Sequence, residues 1–105
     1  MRLVKPKKAL GQHFLKDLQI AQRIADTLDT FKSFPVLEIG PGMGVLTQFL
    51  LEAGHDLTVV ELDMESVDYL NQNFPDLKGH IIAEDFLKLD LSKLFPGQFC
   101  VIGNY

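Results

Sequence analysis

The sequence has little of what marks a secreted, membrane-spanning or metal-centred protein. Its one cysteine, Cys100, has no partner for an internal disulfide, and its setting in Gln98-Phe-Cys-Val-Ile102 is that of a residue packed on a strand. Such cysteine usage points to a reducing compartment, so a cytoplasmic location is expected. No apolar run approaches the ~20 residues of a membrane span. The basic N-terminus lacks the apolar stretch and cleavage pattern of a secretory signal. His13, His55 and His80 stand apart without metal-ligand spacing, so no metal is expected, and His55 and His80 read as surface or strand-edge residues. No repeat or low-complexity tract is present. Basic charge is scarce overall, with a net charge of −4, but it is unevenly placed. Residues 1–16 hold Arg2, Lys5, Lys7, Lys8 and Lys16 with no acid, and the fourteen acids all lie beyond them. A basic arm on an acidic body suits a polyanionic partner at one edge.

What is present is an ordinary globular composition, 47% hydrophobic and 23% charged, over 105 residues. That length makes one small domain, burying roughly two-thirds of its unfolded surface. The most informative stretch is Val36-Leu-Glu-Ile-Gly-Pro-Gly-Met-Gly44. A strand-like run from Phe34 to Ile39 enters glycines at alternate positions, and a helix-like run, Val45 to Ala53, follows at once. Strand, glycine turn and helix make the first half of a nucleotide-binding βαβ unit. Glycine accepts positive φ and lets a ligand lie against bare backbone. A dinucleotide fingerprint, G-x-G-x-x-G, would need its third glycine at position 45, which is Val45. The third glycine comes one residue early, at Gly44. The spacing therefore disfavours an NAD-type pyrophosphate and fits an adenosine-bearing cofactor without phosphates, such as S-adenosylmethionine.

The acids beyond the loop extend this reading. Asp56-Leu-Thr-Val-Val-Glu-Leu62 reads as a second strand ending at Glu61, about twenty residues past the loop, the offset of the carboxylate that takes ribose hydroxyls. Glu61 is expected to be exposed and to support little of the core. A third strand, His80 to Ala83, leads into Glu84-Asp85-Phe86, an acid and an aromatic suited to an adenine amino group and ring.

Elsewhere, Asp17 can cap a helix with apolar positions Leu18, Ile20, Ala21, Ile24, Ala25 and Leu28. Asp63 caps another that stops before Pro75, a helical turn is expected around Ser92 to Phe95, and a fourth strand runs from Phe99 to Gly103. The expected core is Leu37, Ile39, Leu46, Val59, Val60, Leu70, Ile81, Ile82, Val101 and Ile102. The alternation calls for an α/β fold with a Rossmann-like, doubly wound parallel sheet, strand two on one side of strand one and strand four on the other. Its ligand crevice lies at that switch point. The fold is expected to be truncated after strand four, as the amino-terminal piece of a longer enzyme.

Lys8-Ala-Leu-Gly-Gln-His-Phe-Leu15, Glu38-Ile-Gly-Pro-Gly-Met-Gly-Val-Leu-Thr47, Val60-Glu-Leu-Asp63, Glu84-Asp-Phe86 and Ile102-Gly-Asn104 together resemble the ribosomal RNA adenine dimethyltransferases, most of all their small-subunit branch. The resemblance spans essentially the whole chain. It implies a Rossmann-like methyltransferase domain, with residues 1–16 an arm closing on the cofactor and residues 17–105 the amino-terminal part of that domain. It implies S-adenosylmethionine as cofactor and small-subunit ribosomal RNA, within the pre-30S particle, as partner. His13 and Leu15 would close over the methionine end, Gly40 would pack against it, Glu61 would take the ribose and Asp85 the adenine amino group. Asn104 would open an Asn-x-Pro-Tyr motif holding the target amine, with Tyr105 at x. The base-stacking tyrosine of that motif would lie beyond Tyr105, so the chain alone is expected to lack turnover and to self-associate along its fourth strand. Lys5, Lys7 and Lys8 would meet RNA phosphates. The alternatives are a large-subunit ribosomal RNA methyltransferase of the macrolide-resistance type and a non-catalytic ribosome-assembly protein.

Overall fold

The computed structural model describes residues 18–103. Within them the chain forms α1 (Leu18–Asp26), a 3-10 turn at Asp29–Phe31, β1 (Val36–Ile39), α2 (Val45–Glu52), β2 (Leu57–Val60) and α3 (Met64–Asn73). A 3-10 turn at Pro75–Leu77, β3 (Ile81–Ile82), a 3-10 turn at Phe86–Lys88, α4 (Leu91–Leu94) and β4 (Cys100–Gly103) complete it. The sheet is wholly parallel in the order β3-β2-β1-β4. The chain steps outward through β2 and β3 on one side of β1, then returns to place β4 on the other. That reversal is the switch point the alternation of elements requires, and it falls between β1 and β4.

Local chemistry sets the element ends. Asp63 caps α3, accepting from the Ser66 amide at 3.2 Å and its hydroxyl at 2.9 Å. Asp90 caps α4 in the same way through Ser92. Gly54, at φ +85°, ends the turn after α2 in a left-handed conformation. Pro75 cannot continue α3 and instead opens the 3-10 turn behind it. The Asp17 cap lies outside the described residues.

β1 is buried at all four positions, as expected of a central parallel strand covered on both faces. Its register pairs Val36 with Leu57 and Cys100, and Glu38 with Val59 and Ile102. On that face, Val36, Leu57 and Val59 pack with Ala25 of α1, Leu46 and Leu50 of α2, Leu70 of α3 and Leu77. Three expectations are corrected here. Val101, expected in the core, is 42% exposed on edge strand β4. Leu18 opens the apolar stripe of α1 but is exposed, the buried contacts coming from Ala21 and Ala25. His55, read as a surface residue, is 6% exposed, folded under the turn between α2 and β2. No helix among the described residues is long and apolar enough to cross a membrane.

Candidate cofactor site

Parallel strands all point their C-terminal ends to one edge of the sheet, and the groups singled out in the sequence gather along it. β1 delivers Gly40, β2 delivers Glu61 and β3 leads to Asp85. β4 ends at Gly103, opposite Ile39, beside the start of the glycine loop. His13, Leu15, Lys5, Lys7, Lys8 and Asn104 lie outside the described residues.

The loop from Gly40 to Gly44 is built on positive φ, +64° at Gly40 and +83° at Gly44, which glycine alone takes without strain. A Cβ on Gly40 would meet nothing within 4 Å, so its backbone faces open space. A Cβ on Gly44 would strike the ring of Phe74, so this glycine serves packing between helices. The three glycine amides of the loop are engaged within the protein. Gly40 N–H donates to the Val60 carbonyl at 2.9 Å, and Gly44 N–H to the Pro41 carbonyl at 2.9 Å. Gly42 N–H donates to Glu61 Oε1 at 2.9 Å. A loop that cradles a pyrophosphate needs such amides turned toward the ligand.

Glu61 departs from its expected exposure. It is 3% exposed, and its second oxygen accepts the Asp63 amide at 3.0 Å. One carboxylate thus ties the glycine loop of β1 to the segment leaving β2. A carboxylate offers about four lone-pair sites, more than these two amides use. Asp85 is half-buried and caps the 3-10 turn Phe86–Lys88 through the Leu87 amide at 3.0 Å. Phe86 behind it is half-buried, and Glu84 is exposed.

The residue that sequence reading passed over is Glu38. It lies inside the apolar run of β1, is 1% exposed, and accepts a hydrogen bond from the Thr47 hydroxyl of α2. Burial pushes its carboxyl up to about 8, the Thr47 bond pulls it down, and Glu61 nearby pushes it up again. The signal was an acid in a strand whose every other residue is apolar.

The segments at this edge, residues 38–44, 61–63 and 83–86, carry Glu61, Asp63, Glu84 and Asp85, with the buried Glu38 behind them, and no lysine or arginine. An edge so lined repels a phosphate-bearing ligand and suits one that is positively charged. The parallel sheet, its switch point and the glycine loop define a Rossmann-like α/β domain.

Comparison with known proteins narrows the class. Residues 4–105 match the ribosomal RNA adenine dimethylase family. The chain is 98% identical over 105 residues to ribosomal RNA small subunit methyltransferase A of Parabacteroides distasonis, covering all of this chain and 40% of that protein. It is 66% identical over 107 residues to the protein of that name from Porphyromonas gingivalis, covering all of this chain and 42% of that one. Among solved structures it is similar to the 23S rRNA methyltransferase ErmE, with a TM-score of 0.68 and 33% identity over 86% of this chain and 36% of that one. The chain belongs to the ribosomal RNA adenine dimethylase family, and it spans about 40% of the length of the curated relatives it matches.

Proposed function

We propose that this chain is the cofactor-binding part of an S-adenosylmethionine-dependent enzyme that dimethylates adenine exocyclic amines in small-subunit ribosomal RNA. The observation that carries the cofactor is the state of the glycine loop: its Gly40, Gly42 and Gly44 amides are engaged by Val60, Glu61 and Pro41. An acid-lined edge whose three glycine amides are already engaged fits a cofactor with a sulfonium and an ammonium group. It does not fit a dinucleotide.

In this reading the cofactor supplies a methyl group on a positively charged sulfur. Glu61 holds the ribose diol, Asp85 the adenine amino group, and the bare backbone of Gly40 allows close approach. His13 and Leu15 of the arm cover the methionine end, and Asn104 holds the target amine. An exocyclic adenine amine is a weak nucleophile because its lone pair is delocalised into the ring. Acceptors on its two hydrogens localise that pair and aim it at the methyl carbon, so most of the gain is orientation. Each transfer replaces an N–H by an N–CH₃, releasing one proton and the neutral thioether. The base must leave its stack to reach the crevice, and Lys5, Lys7 and Lys8 hold the neighbouring phosphates. The small-subunit particle in the cytoplasm is the setting this reading gives.

The second reading, a large-subunit RNA substrate, draws on the likeness to ErmE at 33% identity, against 98% and 66% for the relatives named for the small subunit. β4 pairs only with β1 among the described residues, with Val101 exposed on it, and such an edge invites pairing with a second chain. The cofactor assignment is tested by calorimetric titration of the full-length protein with S-adenosylmethionine and with NAD. Saturable binding of the first and none of the second is expected, and the reverse would overturn it.

A further inference from the structure

Glu38 has no part in the reading above, yet its setting is costly for a carboxyl. It lies on β1 two residues before Gly40, with Val59 and Ile102 as its ladder neighbours. Thr47 of α2 supplies its one hydrogen-bond donor among the described residues. Of the elements packed around it, β2 brings the carboxyl of Glu61 at its end, while α2 brings a hydroxyl and β4 an apolar side chain. An ionised Glu38, itself 1% exposed, would lie close enough to feel another buried acid, Glu61 at 3% exposed. A buried carboxyl so placed keeps its proton until an opposite charge arrives.

We propose that Glu38 is a proton reservoir of the cofactor site, protonated while the crevice holds no cation and ionised when S-adenosylmethionine lies over the glycine loop. The inference rests on the cofactor reading above. A cation beside the loop acts on Glu38 through a low-dielectric wall and supplies the counter-charge that the neighbouring acid does not. On ionisation the O–H bond breaks, its electron pair stays on the carboxylate and the proton passes to solvent. The Thr47 bond then strengthens, because its acceptor is charged. Methyl transfer removes the sulfonium charge, so Glu38 takes a proton back and the spent cofactor is held less well than the fresh one. A carboxyl pushed up to about 8 is protonated in most molecules at neutral pH, which is where such a device operates.

Calorimetry on the full-length protein at pH 7, in buffers of different ionisation enthalpy, counts the protons released by S-adenosylmethionine and by S-adenosylhomocysteine. Both ligands carry an α-amino group that is mainly protonated at pH 7, although the sulfonium lowers its pKa in S-adenosylmethionine alone, so it contributes only a small fraction of a proton against the nearly one expected of Glu38. The wild type is expected to release close to one more proton with the sulfonium ligand, and Glu38→Gln to abolish that difference. Thr47→Val, which removes the donor favouring the ionised form, should move the pH of half-maximal release upward, and it serves if Glu38→Gln does not fold. Equal release with both ligands, or a difference that survives in Glu38→Gln, overturns the inference while leaving the cofactor reading intact. Failure of the wild type to bind S-adenosylmethionine overturns the cofactor reading, and this inference with it.

Discussion

Gly44 and Phe74 compete for one space: a Cβ on Gly44 would lie 2.4 Å from Cε2 and 2.6 Å from Cζ of the ring. Phe74 follows the last residue of α3 and packs on the start of α2, so the third glycine of the loop exists for the contact between two helices. Its φ of +83° adds a backbone penalty for any other residue. Gly44→Ala is therefore expected to cost about 2 kcal/mol or more, as overpacking and left-handed strain combine. Gly54→Ala, at φ +85° with nothing within 4 Å, should cost only the backbone part. Urea denaturation of the two variants tests this, and equal losses would remove the packing role of Gly44.

Glu61 has two duties, and its replacement should show both. Its carboxylate accepts from the Gly42 and Asp63 amides, so Glu61→Ala loosens the loop before any ligand is present. Hydrogen bonds to a charged group contribute roughly 1.5–3 kcal/mol, so a lower melting temperature in the ligand-free protein is expected. Affinity for S-adenosylmethionine should fall at least about tenfold. Unchanged affinity by calorimetry would refute the ribose assignment, and an unchanged melting temperature would refute the structural one.

The places of β2 and β4 on either side of β1 followed from the handedness of crossovers, and the strand-end positions of Gly40, Glu61 and Asp85 were legible because each rests on short-range signals. β-branched runs, alternate glycines and acids at fixed offsets do not depend on distant packing. What was not legible depended on which face of an element is covered. Val101 reads as core from its apolar neighbours, but β4 is an edge strand and leaves that side chain 42% exposed. Glu61 reads as a loop acid, yet it is buried because the loop folds back over it. His55 carries no periodicity to announce that the turn after α2 closes on the connector after α1. Glu38 was visible as an acid in an apolar run, but its meaning required the Thr47 contact.

His55 is buried with neither ring nitrogen hydrogen-bonded to the described residues. Burial lowers its pKa, Lys32 lowers it further, and Asp29 raises it. A group that is harder to protonate in the folded state leaves the unfolded chain binding more protons at low pH. Its stabilising contribution is therefore full above about 6.5, its unfolded value, and is lost as pH falls through and below it. His55 should therefore lower the melting temperature between pH 7.5 and pH 5, in opposition to the gain that the raised Glu38 carboxyl gives over the same range. His55→Leu should flatten that dependence and add about 1 kcal/mol or more by removing two unpaired polar atoms. An identical pH profile in the variant would contradict this.

Lys5, Lys7 and Lys8 form an acid-free basic run in an acidic chain. Replacing all three with Ala in the full-length protein should weaken RNA binding and reduce the slope of log affinity against log salt, since phosphate contacts act through counterion release. Cofactor affinity should stay nearly the same. An unaltered salt slope would make the arm a solvated tail.

Methyl transfer itself decides whether the full-length protein is a small-subunit adenine dimethyltransferase. Full-length protein and labelled S-adenosylmethionine are incubated with unmodified small-subunit particles and with unmodified large-subunit RNA, and the modified nucleosides of each are identified by mass spectrometry. The account predicts dimethylated adenines at two adjacent positions of the small-subunit RNA, with no label on large-subunit RNA. Label on large-subunit RNA alone, or binding of particles with no methyl transfer at all, would contradict it.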